Sequence, residues 1–161
     1  TRAKNAGIPG YVVSRKGVSR ESFEAGLNQI LADTGAEMIV LAGFMSILSS
    51  EFTSKWHERI INVHPSLIPS FCGEGFYGLR VHEAALEYGV KVTGATVHFV
   101  NEVPDGGKII KQRAVYIKDG DTPETLQRRV MEEAEWIILP EALEEVAASI
   151  ALRHCSQYES I

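Results

Sequence analysis

The stretch Met38-Ile39-Val40-Leu41-Ala42-Gly43-Phe44 sets the fold class. Four apolar residues stand in a row and then run into a glycine. That pattern is the signature of a strand buried on both faces of a parallel sheet, ending in a turn. Downstream, Ser50 to Trp56 reads as a short helix, and Ile60-Ile61-Asn62-Val63 as the next strand. Strand, helix and strand in this rhythm predict a parallel α/β sheet. Upstream, Ser19 is placed to cap a helix whose apolar residues Phe23, Leu27, Ile30 and Leu31 share one face, with Gly35 as its stop. Tyr11 to Val13 is a short strand candidate, and Thr1 to Ala6 reads as a last helical turn closed by Gly7. So short a piece of helix does not stabilise itself, and the reading places the start of the chain inside a domain.

Towards the C-terminus Leu79 to Tyr88 is predicted as a helix ending at Gly89. Lys91 to Val100 and Ile109 to Ile117 are two β-rich segments, and the turn residues between them call for a hairpin or an irregular reversal. Thr122 followed by Pro123 opens the final helical region. Pro140 is expected to divide that region into two pieces ending near Leu152, leaving 153–161 as a tail without pattern. A single domain over 1–152 follows, since 161 residues suffice for one core and are too few for two.

Bulk properties exclude several classes. The net charge of −5 opposes a nucleic-acid binder that works by neutralising phosphate. No apolar run approaches the roughly 20 residues of a membrane span. Cys72 and Cys155 form no metal or redox motif and read as two reduced thiols of a cytoplasmic protein. His64, His82 and His98 are too widely spaced for a zinc site, so no metal is expected.

The residues with chemistry begin at Asn62-Val63-His64-Pro65-Ser66-Leu67-Ile68-Pro69-Ser70-Phe71. Alternation places Asn62 and His64 on one face of a strand, at its carboxyl end, where open α/β sheets put their ligands. Pro65 and Pro69 stiffen the loop that follows. An amide can donate to a carbonyl oxygen and an imidazole can move protons near neutral pH. Both residues could equally serve only to satisfy backbone groups at a strand end. The two glycines of Asp105-Gly106-Gly107 permit backbone angles closed to other residues and close approach to a ligand, although an ordinary Asp-Gly turn explains them as well. Thr96 and His98, on one strand face, read as sheet hydrogen-bond partners. Met45, Ile47 and Leu48 after the first strand read as core, or as the lining of a flat apolar pocket. Glu132, Glu133 and Glu135 read as a solvated acidic face.

Taken together these motifs resemble the glycinamide ribonucleotide formyltransferase family. The resemblance runs through Ile39 to Met45, Ile47-Leu48, Ile61 to Pro69, Val90 to Val100, Asp105-Gly106-Gly107 and Gly120-Asp121-Thr122. It implies a Rossmann-like formyltransferase fold and direct formyl transfer from 10-formyltetrahydrofolate to the amine of glycinamide ribonucleotide, in purine synthesis. It also implies an active site of Asn62, His64 and Asp105. Asn62 would then donate to the developing oxyanion, worth about 2.7–4 kcal/mol in comparable sites. Asp105 would favour charged His64, orient it and help relay the amine proton. The resemblance places Met45, Ile47, Leu48, Asn101, Val103 and Asp105 on the folate, Pro65 and Glu135 on the nucleotide, and Thr96 and His98 in support.

Departures accompany the resemblance. The family's opening strand and phosphate-binding turn have no counterpart here, so the expectation is a domain that keeps the folate pocket and holds the nucleotide poorly. Ser46 stands where Arg is usual and Lys108 where Pro is usual. The approach to Glu135 from Val130 is one residue longer, and Cys72 to Arg80, with Gly73, Gly75 and Gly78, reads as a flap over the substrate. Formyltetrahydrofolate deformylase is the nearest alternative, although it usually carries a second His where this chain has Pro65. Methionyl-tRNA formyltransferase shares the His-Pro-Ser-Leu stretch without the loop and basic domain that normally follow it. A folate-binding domain without turnover is the third reading. A second copy of the chain is a candidate partner.

Overall fold

The computed structural model describes residues 2–158, with side chains described through Arg153. The chain forms two compact units, one reaching to Glu37 and the other starting at Met38. The first unit holds α1 (Arg2–Asn5) and α2 (Arg20–Asp33). Ser19 caps α2 as its sequence dictates, its side chain accepting from the Ser22 backbone N–H at 3.2 Å. The strand expected at Tyr11 to Val13 does not form. No neighbouring strand bonds to that segment among the described residues, and Val12 stands 94% exposed. A β-propensity without a ladder partner leaves extended coil.

The second unit contains β1 (Ile39–Leu41), α3 (Ser50–Lys55), β2 (Ile60–His64), α4 (Leu79–Tyr88), β3 (Val92–Phe99), β4 (Ile109–Tyr116), α5 (Pro123–Val130), a π-helical turn at Met131–Glu135 and α6 (Trp136–Tyr158). The strands lie in the order β1-β2-β3-β4. β1 runs parallel to β2, carrying the predicted parallel layer, with Ile39 opposite Ile60. The reversal expected between the two long β segments makes β3 antiparallel to both β2 and β4, so the described sheet is mixed. β1 is its outer strand, and Val40 is 37% exposed rather than covered on both faces.

One face of the sheet, through Ile61, Ala95, Val97 and Val115, packs on the C-terminal helices from Leu126 to Ile150. Thr122 caps α5 in a reciprocal arrangement with Thr125, and Asp121 accepts both from Thr125 and from the Arg129 guanidinium. That charge pair and the backbone N–H of Lys118 hold the Asp121 carboxyl far below the usual range despite its burial.

Pro140 does not split the final helix. It lies in the first turns of α6, where its missing N–H coincides with the junction to the π turn, so the irregularity sits at Met131–Glu135 instead. The helix also continues to Tyr158, past the expected end at Leu152. Residues 159–161 of the expected tail and the side chain of Cys155 lie outside the described residues. No described helix is long and apolar enough to cross a membrane.

Candidate active site

The antiparallel register of β2 and β3 sets Asn62 beside His98 and His64 beside Thr96. All four side chains therefore share the sheet face opposite the α6 core. Asn62 Nδ2 lies 3.3 Å from His98 Nε2. The Asp105 carboxylate stands between two imidazoles, with Oδ2 3.4 Å from His64 Nδ1 and Oδ1 3.5 Å from His98 Nε2.

Backbone carbonyls decide how those imidazoles are protonated. His64 Nε2 lies 2.8 Å from the Phe71 carbonyl, and His98 Nδ1 lies 2.8 Å from the Phe99 carbonyl. A carbonyl only accepts, so each of these ring nitrogens carries a proton and donates it. The remaining nitrogen of each ring faces Asp105. One carboxylate thus serves one nitrogen of each imidazole, and the Asn62 amide lies beside the His98 one. Burial pushes the Asp105 carboxyl up, but the His98 ring, the Gly73 N–H at 2.8 Å and the charge of both imidazoles outweigh it and hold the group below its ordinary value.

Asp105 itself takes a left-handed backbone, φ 54°, and the two glycines after it do not. This corrects the expectation that Gly106 and Gly107 supply unusual angles. Their need is for space: a side chain on Gly107 would run into the Phe99 carbonyl, and one on Gly106 into Val103. The close approach is to the neighbouring strand, and it brings Asp105 back towards His98.

Thr96 lies outside the cleft lining and anchors the loop after β2. Its hydroxyl donates to the Ser66 carbonyl at 2.7 Å and accepts from the Ile68 N–H at 3.1 Å and from Gln112 Nε2 at 3.0 Å. Gln112 also donates to the Ile68 carbonyl. This bracing by Gln112 escaped the sequence reading, because a lone Gln on a strand carries no motif. The same holds for the carbonyl of Phe71 and the N–H of Gly73, where the partner is backbone and not side chain.

These groups open on a cleft of about 320 Å³ lined by Leu41, residues 43–48, Asn62 to Pro65, residues 73–78, His98, Val100, Asn101 and residues 103–105. Met45, Ile47, Leu48, Asn62, His64, Pro65, His98, Asn101, Val103 and Asp105 all line it. Met45 and Ile47 are 69% and 60% exposed, so they form an apolar rim and are not core, while Leu48 is buried. The glycine-rich segment forms one wall, with Phe76 and Tyr77 carried between Gly73, Gly75 and Gly78, each at positive φ. Glu135 lies apart, outside the cleft lining, in the π turn. Burial raises its carboxyl, and it meets no polar partner among the described residues. Of the three late glutamates it is the one withdrawn from solvent, against the reading of a uniform acidic face. Among the described residues no cluster of three His, Cys, Asp or Glu is arranged to hold a metal ion.

Comparison with known proteins matches residues 1–143 to the family model described as "Formyl transferase". The chain is 49% identical over 148 residues to the trifunctional purine biosynthetic protein adenosine-3 of Gallus gallus, covering 91% of this chain and 14% of that protein. A phosphoribosylglycinamide formyltransferase from Coxiella burnetii superposes with a TM-score of 0.82 at 40% identity, covering 92% of this chain and 67% of that one. A formyltetrahydrofolate deformylase from Pseudomonas syringae superposes with a TM-score of 0.74 at 30% identity, covering 88% and 46%.

Proposed function

The chain belongs to the formyl transferase family, and from that premise we propose that it transfers a formyl group from 10-formyltetrahydrofolate to the amine of glycinamide ribonucleotide in purine synthesis. The observation that carries the reading is the Asp105 carboxylate held between His64 and His98, with Asn62 alongside, at the mouth of an apolar-rimmed cleft. Higher identity to transferases than to the deformylase neighbour, together with Pro65 after His64, favours an amine over water as acceptor.

In this mechanism the amine nitrogen attacks the formyl carbon and the carbonyl electron pair moves onto oxygen. One N–H of Asn62 faces His98, which leaves the other to donate to that oxygen. Charged His64 stabilises the same oxyanion once its Nε2 proton is released from the Phe71 carbonyl. Asp105, kept ionised, fixes His64 and accepts the amine proton through the imidazole pair or water. The tetrahedral intermediate then expels the folate nitrogen, which takes a proton.

Met45, Ile47, Leu48, Asn101, Val103 and Asp105 contact the folate, and Pro65 and Glu135 the nucleotide. Residues 1–152 act in one formyltransferase domain, and α6 carries it into the expected tail as far as Tyr158. The protein works in the cytoplasm on small molecules, without a metal, nucleic acid or membrane, and a homodimer is the assembly in view.

The test is absorbance-followed transfer from a 10-formyl folate with and without glycinamide ribonucleotide. Asn62→Ala is expected to lower kcat by about 10²–10³-fold with little change in KM for either substrate. Formate release without the nucleotide would replace the transferase with a hydrolase, and binding without turnover would leave a folate-binding domain.

A further inference from the structure

From Leu126 to Ile150 every fourth residue is buried in the core. An uninterrupted α-helix cannot keep such a stripe on one face. Its turn closes in 3.6 residues, so each fourth residue advances by about 40°, and six steps swing the stripe well out of the core. The π turn at Met131–Glu135 takes back part of the drift. The Trp136 N–H bonds to the Met131 carbonyl five residues back, so this turn holds one extra residue and rotates the stripe the other way. The same extra residue accounts for the longer approach to Glu135.

A π turn is a costly arrangement that persists where its surroundings support it. Here the support comes from β4. Arg113 Nε donates to the Glu133 carbonyl inside the turn at 2.6 Å. Two residues on, Glu135 carries a half-buried carboxyl that meets no polar partner among the described residues, and an unpaired buried carboxylate calls for a ligand donor.

We propose that Arg113 is a positioning residue: by latching the Glu133 carbonyl it holds the π turn, and with it the Glu135 carboxylate, in place for the hydroxyl groups of the nucleotide substrate. This rests on the reading of Glu135 as a nucleotide contact. Arg113 touches no substrate itself and acts through one backbone bond.

The experiment compares the unaltered protein with Arg113→Met, Arg113→Lys, Glu135→Gln and the Arg113→Met/Glu135→Gln pair. Steady-state kinetics are run for both substrates, and amide exchange is followed at Trp136. Arg113→Met is expected to raise KM for glycinamide ribonucleotide on the order of tenfold, the low end for loss of one charge-assisted hydrogen bond. KM for the folate and kcat should hold, and Trp136 exchange should quicken. Arg113→Lys should recover part of the loss, and the pair should be no worse than Glu135→Gln alone. If Glu135→Gln weakens the nucleotide while Arg113→Met does not, the latch is overturned and the reading of Glu135 stands. If Glu135→Gln leaves KM unchanged, that reading fails and the proposal falls with it. Equal losses for both substrates, or unchanged exchange at Trp136, would also overturn it.

Discussion

His82 provides a pH-dependent weakness that one substitution should remove. Its imidazole sits on α4 with no exposed surface, and neither ring nitrogen has a hydrogen-bond partner. Burial, and then the charge of nearby His64, drive it down from 6.5 to about 4. Between these values the unfolded chain binds a proton that the folded protein refuses, so stability is intact above pH 6.5 and falls as pH drops towards 4. Linkage gives the size: from pH 7 to pH 5 the folded state loses about 2 kcal/mol through His82 alone. His82→Leu fills similar space without a proton site. Urea unfolding at pH 7, 6 and 5 should show the gap between the two proteins widening by about that amount in favour of the leucine variant. Any constant packing difference cancels, because only the change with pH counts. Parallel stability curves would refute the reasoning, since they would mean that His82 titrates alike in folded and unfolded chains.

Two further changes probe the scaffold of the site. Gly107→Ala forces a methyl group into the Phe99 carbonyl and should cost about 1–3 kcal/mol, seen as a lower denaturant midpoint with unchanged slope. Thr96→Val keeps the shape but strands the Ser66 carbonyl and the Ile68 N–H. It should cost about 1–3 kcal/mol in unfolding experiments and also lower transfer activity by loosening the loop after His64.

Much of this was legible in the residues, for definite reasons. Ser19, Thr122 and Gly89 announce their helix ends because capping is local chemistry. Asn62 and His64 share a face because strand period allows nothing else, and Asp105 joined them through the family resemblance of its motif. What escaped was non-local. The role of His98 depends on the β2–β3 register, which brings Asn62 beside it. Val12 resembles strand, but a strand exists only with a partner, which local pattern does not supply. Met45 and Ile47 read as core or pocket lining until the family resemblance placed them on the folate, since hydrophobicity alone does not distinguish a ligand-facing rim from an interior. The π turn was foreshadowed only by one residue too many before Glu135, whereas Pro140 drew attention to the wrong place.

The bracing of the site by β3 also bears on how the protein folds. The Asn62–His98, Ser66–Thr96 and Gly73–Asp105 links join positions 36, 30 and 32 residues apart. Each becomes available only after a long loop has closed, a step that local helices such as α4 do not wait for. On refolding, helical signal should therefore return before formyl transfer does. The centre around Asp105 is among the last of these features to exist, so a nascent chain released before β3 emerges would hold α2, α3 and α4 without its chemistry.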